Sequence, residues 1–149
     1  MPSRSTKPSG TRRQRRPPPR EITFFLDNDT SACAVFDALQ QKGLSVTRLR
    51  NHFPPDTPDH EWLPFVGRKG WILVSRNKWM RYNPREVTLI RKHKVRGFFL
   101  TGSKPLRGDQ MASILVRALD RIFKFLQDHS GPFVVNIRSD SSLHEWEGI

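Results

Sequence analysis

The sequence predicts an α/β fold in three layers, with a central, mainly parallel sheet of four to five strands and helices on both faces. Three observations carry this. Short apolar runs recur at 22–26 (ITFFL), 71–75 (WILVS), 97–101 (GFFLT) and 133–137 (FVVNI), and such runs read as strands buried on both faces. Segments of helical period lie between them, the clearest being Met111, Ile114, Leu115, Ala118, Ile122, Phe125 and Leu126. The alternating order of strand and helix requires crossover connections, which in a shared sheet are right-handed and leave the strands parallel.

Taken in order, residues 1–20 hold seven arginines and lysines, no acid, and mostly Ser, Pro, Gly and Thr otherwise. This arm cannot offset its ordering entropy by burial and is expected to be disordered. Residues 21–138 form the domain. After the first strand, Thr30 or Ser31 caps a helix with Ala32, Val35, Phe36 and Leu39 inward, Lys42 in its last turn and Gly43 as its stop. Cys33 is expected on the apolar face as a small core residue. Leu44 to Leu49 is a more polar strand, placed near an edge. The proline-rich stretch 50–58 is irregular, and a short helix follows from Asp59 to Arg68 if Pro64 falls in its first turn. Asn83 and Pro84 start a basic helix over 85–94, with Val87 and Ile90 inward. The long helix spans 109–128, with Asp109 as an N-terminal charge. Residues 139–149 are polar and read as a loose tail.

The 149 residues make one domain of ordinary size. A single cysteine excludes an internal disulfide framework. No run approaches transmembrane length and none resembles a signal-peptide core, so no membrane is expected and a cytoplasmic protein is the default. The formal net charge is +12, of which the arm supplies +7 and the rest +5. A basic arm suits a polyanion such as RNA.

The candidate site follows from the topology. Ligands of open α/β sheets bind beyond the carboxyl ends of the strands. Asp27 and Asp29 stand at the exit of the first strand, Asn77 beyond the third and Thr101 at the end of the fourth. Asp59 and Glu61, at the start of the helix before the third strand, can reach the same edge. Asp29 also suits a helix cap, whereas an acid still attached to an apolar strand, as Asp27 is, needs a metal or a polar partner. Clustered carboxylates without His or Cys favour Mg²⁺ or Mn²⁺ over zinc. Beside them, Arg76, Lys78, Arg81, Arg85, Arg91, Lys92, Lys94 and Arg96 form a basic run interrupted by Trp79 and Tyr82, a composition suited to phosphate contacts with base stacking.

FFLDND at 24–29, FPPDTPDHEWLPFVGRKGW at 53–71, LVSRNKWMRYNP at 73–84 and GFFLTG at 97–102 together resemble a PIN-like domain of the VapC toxin type, over about residues 22–138. The resemblance implies a Mg²⁺- or Mn²⁺-dependent endoribonuclease of a toxin–antitoxin module. It implies Asp27 as the central metal ligand, Asp59 or Glu61 as the helix-borne acid, and a residue of the Ser75-Arg76-Asn77 stretch completing the site. RNA-binding roles fall to Arg76, Lys78, Trp79, Arg81 and Arg85, and water- or substrate-orienting roles to Thr101 and Asp29. The implied partners are RNA, a cognate antitoxin and a second copy of the chain. One departure matters: where the related pattern reads Thr-Arg-Asp, this chain has Ser-Arg-Asn. Asn77 offers a carbonyl oxygen but no charge and cannot act as a base.

Two other functions fit parts of the sequence. Asp27-Asn28-Asp29-Thr30 resembles the Asp-x-Asp-x-Thr motif of haloacid dehalogenase-like phosphatases, but the acidic pair that chemistry needs after a later strand is missing from 101–105. A PIN-like fold weakened at Asn77 would instead serve as an RNA-binding or interaction module.

Overall fold

The computed structural model describes residues 22–28, 30, 33–76, 80–102 and 106–149. The basic arm and the expected sites Asp29, Asn77, Lys78 and Trp79 lie outside the described residues, as does the side chain of Arg81.

Six strands build one sheet: β1 (Thr23–Leu26), β2 (Ser45–Arg48), β3 (Ile72–Ser75), β4 (Arg96–Leu100), β5 (Phe133–Ile137) and β6 (Leu143–Trp146), in the order β2-β1-β3-β4-β5-β6. The first five are parallel to their neighbours and β6 is antiparallel to β5. The helices are α1 (Cys33–Gln41), α2 (Asp59–Lys69), α3 (Pro84–Lys92) and α4 (Gly108–Asp128).

Alternate residues of the central strands face opposite layers, as a period of two demands. Phe24, Leu26, Ile72, Val74, Phe98 and Leu100 pack with α1 and α4 around Val35, Leu39 and Leu115. Phe25, Leu73, Phe99 and Val134 pack on the other face with Trp62, Leu63 and Val66 of α2 and Ile90 of α3. This is the expected α/β/α arrangement. Trp62 is core, and Trp71 packs against the same cluster. No helix among the described residues is long and apolar enough to cross a membrane.

The sheet exceeds the four to five strands expected because part of the supposed loose tail, 139–149, is β6. Leu143–Trp146 is short and half-buried, so it shows no apolar run. Backbone pairing with Val134–Ile137 holds it. Buried Ser141 adds a bond from its hydroxyl to the Ile114 carbonyl (2.8 Å), and Arg91 donates to the Gly148 carbonyl. Cys33 is a second correction: it is exposed, because α1 begins at this residue and turns Val35 and Leu39 inward instead. Pro64 is a third. It lies in the second turn of α2, not the first, where its missing N–H would otherwise reach the His60 carbonyl. Burial of Trp62, Leu63 and Val66 around it keeps the helix continuous.

α2 and α3 lie side by side on one face, and Gly67 lies against the end of α3. A Cβ there would stand 2.5 Å from the carbonyl oxygen of His93, at the end of α3. Because each helix returns from the carboxyl end of a parallel strand, all four begin at the same edge of the sheet.

Candidate active site

Asp27 follows β1 directly and is 4% exposed. Its neighbours come from the two adjoining strand ends and the turn before α1. The Ser75 hydroxyl, last residue of β3, donates to one carboxylate oxygen at 2.5 Å. The Thr30 hydroxyl lies 2.9 Å from the other and 2.8 Å from the Val74 carbonyl, so its single proton is shared between two acceptors. The Thr30 backbone N–H donates to the Asp27 carbonyl at 3.1 Å. Adjacent parallel strands put these groups in reach, since Leu26 is in register with Val74. Thr30→Val removes a hydroxyl from two buried acceptors. It is expected to cost about 1–3 kcal/mol in urea unfolding, and an unchanged midpoint would show that the hydroxyl does not hold Asp27.

The irregular stretch before α2 is tied to the same exit: the Asn28 side-chain amide donates to the Pro55 carbonyl. That contact holds the approach to Asp59, the first residue of α2, at the carboxyl edge. Asp59 faces an acid that the sequence reading overlooked. Burial, then the nearby Asp59 carboxylate, push Glu86 above the ordinary carboxylate range, and Arg85 partly offsets them. Glu86 is in the first turn of α3, which Asn83 caps by accepting from the Arg85 backbone N–H at 3.0 Å. The only linear signal was an acid in a first helical turn, an ordinary helix feature.

A raised Glu86 pKa means that the folded protein holds this proton more tightly than the unfolded chain. Stability is therefore lost as pH rises through the folded-state value. In EDTA at neutral pH, Glu86→Gln is expected to unfold at a higher urea concentration than the parent, with the difference vanishing in acid. A lower midpoint for the variant would show that neither burial nor the Asp59 charge makes the ionised Glu86 costly.

The other expected residues separate. Glu61 is exposed on α2, with His60 Nε2 at 4.0 Å. Arg76 is half-buried at the end of β3, and Arg85 is exposed at the start of α3. Thr101 turns to β5, its backbone N–H donating to the Ile137 carbonyl at 3.0 Å and its hydroxyl at 3.3 Å. Asp109 sits at the start of α4 beside Arg107 (3.1 Å), whose hydrogen bond holds its carboxyl below the usual range. One cation was also overlooked. Arg48 ends β2 in register with Leu26, and its guanidinium lies 4.2 Å from the Phe36 ring centre.

The donor set has the chemistry of a hard-cation site. Asp27 and Asp59 are carboxylates and offer only oxygen, the ligand type that hard cations take. His52, His129 and His144 are engaged elsewhere, with Thr47, the Phe125 carbonyl and Ser142. Among the described residues, no three His, Cys, Asp or Glu side chains converge closely enough to hold an ion by themselves.

A family model described as PIN like domain matches residues 22–102. The match spans more than half of the chain and every residue of the acidic edge, and the chain belongs to that family. It is similar to a protein of Mycobacterium tuberculosis (strain ATCC 25618 / H37Rv) named "Putative ribonuclease VapC45". The two are 23% identical over 118 residues, covering 76% of this chain and 84% of the relative. No solved structure matches significantly.

Proposed function

We propose that this protein is a metal-dependent endoribonuclease and the toxin of a toxin–antitoxin module. The observation that carries the reading is Asp27: a carboxylate buried at the exit of a central strand and held from both sides by Ser75 and Thr30, in a chain of the PIN-like family. The name of the mycobacterial relative, a putative ribonuclease, supports the choice of RNA, as does the net charge of +12; the toxin reading follows from the VapC-type resemblance of the sequence.

Asp27 and Asp59 would hold Mg²⁺ or Mn²⁺, with the Asn77 carbonyl as a weaker third donor and Glu86 behind Asp59. A divalent cation there supplies charge stabilisation on the phosphate and acidifies the attacking water. The Ser75 and Thr30 hydroxyls hold the Asp27 carboxylate at the exit of β1. Arg76, Arg85 and the adjoining Lys78, Trp79 and Arg81 would bind the RNA backbone and bases, and a cognate antitoxin would act by covering this edge.

The test is cleavage of total cellular RNA with Mn²⁺, with Mg²⁺ and with EDTA. Cutting that EDTA stops is the expected result. RNA left intact by both this chain and its Asn77→Asp variant, yet still bound, would favour the second reading. That reading is an interaction module without catalysis, and Asn77 in place of an acid is what favours it.

A further inference from the structure

We propose that Tyr82 is the platform on which an unpaired base of the substrate strand stacks at the rim of the acidic edge, an inference that rests on the ribonuclease reading above. Among the described residues Tyr82 is the one large hydrophobic side chain that is exposed, at 61%. It is also the only tyrosine in the chain.

Its setting fixes how the ring is presented. Tyr82 ends a single 3₁₀ turn, Met80–Tyr82, whose first residue is 1% exposed and packed in the core below α2 and α3. The next residue, Asn83, is committed to the cap of α3, its side chain accepting from Arg85 and its carbonyl from the Val87 N–H at 3.0 Å. Met80 is thus anchored on one side of Tyr82 and the helix start on the other, which holds the backbone of an outward-facing ring. A backbone ordered in advance loses little entropy when a base packs on the ring.

The location is specific. Six residues before the turn's second residue, Ser75 bonds Asp27; one helical turn after Tyr82, Glu86 feels the charge of Asp59. Tyr82 therefore stands on the connection that joins the two halves of the acidic edge. In sequence it is flanked by Arg76, Lys78, Arg81 and Arg85. Cations that follow a phosphate backbone, with an aromatic face between them, are the equipment of single-strand binding. The charge favours a polyanion over an apolar protein partner. Stacking on a phenol ring tolerates any base but needs one free of its duplex partner, so this residue would select unpaired RNA.

The experiment uses the full chain with 3-fluorotyrosine incorporated, which gives one ¹⁹F resonance. It is titrated in EDTA with a single-stranded RNA of roughly ten nucleotides and with the same sequence as a duplex, while fluorescence anisotropy follows binding. The single strand is expected to shift the resonance in step with binding, and the duplex to leave it in place. Tyr82→Ala should weaken single-strand binding about tenfold and Tyr82→Phe by less than about twofold, each measured well below that variant's own melting temperature. An unmoved resonance while RNA binds, an equal shift with the duplex, or an alanine variant that binds like the parent overturns the proposal and leaves the ribonuclease reading standing. Absence of RNA binding together with absence of cleavage overturns both.

Discussion

Replacing Asp27 by asparagine is expected to lower kcat/KM for RNA cleavage by more than about a hundredfold while the protein stays folded. The substitution keeps the shape of a side chain that is 4% exposed. The new amide can still meet the Ser75 and Thr30 hydroxyls, because a hydroxyl accepts as well as donates. What disappears is the charge. A binding readout separates this from a packing defect: Mn²⁺ should raise the melting temperature of the parent by mass action and leave that of Asp27→Asn almost unmoved. Full cleavage by the variant would remove Asp27 from the chemistry, and with it the central claim about the site.

The opposite effect is expected at position 77. Asn77→Asp adds a carboxylate where the related pattern has one, and hard-cation affinity rises with the charge of the ligand set. Cleavage should increase at least about tenfold, and the Mn²⁺ concentration for half-maximal rate should fall. If residue 77 belongs to the proposed site, the same substitution should destabilise the fold without metal, because a further negative charge would join Asp27 and Asp59, and added Mn²⁺ should reverse the loss. If rate and metal dependence both stay where they were, residue 77 does not contribute to the site and the parent's activity does not depend on it.

Much of the architecture was legible in the sequence because the central strands are buried on both faces. Phe24, Phe25 and Leu26, or Ile72, Leu73 and Val74, leave no polar face to confuse the period. The same feature made Asp27 legible: an acid that interrupts such a run cannot be solvated by chance. The parts that were not legible depend on partners far away in sequence. β6 carries Glu145 and His144 among its four residues and becomes a strand only because β5 offers an edge. Cys33 fell on the wrong side because its place in the first turn depends on where α1 begins. Glu86 looked like any first-turn acid. Its meaning comes from α3 lying beside α2 on one face, which brings it near Asp59, and no spacing along the chain encodes that juxtaposition.

That juxtaposition gives Gly67 a part to play well away from the acids. It sits near the far end of α2, against His93 at the end of α3, while Asp59 and Glu86 lie in the first turns of the same two helices. A methyl group there would have to push the two helices apart by displacing backbone. A wider spacing at that end would be carried along the pair toward the two carboxylates at its start. A residue with no functional group at all would thereby bear on the edge where the carboxylates lie.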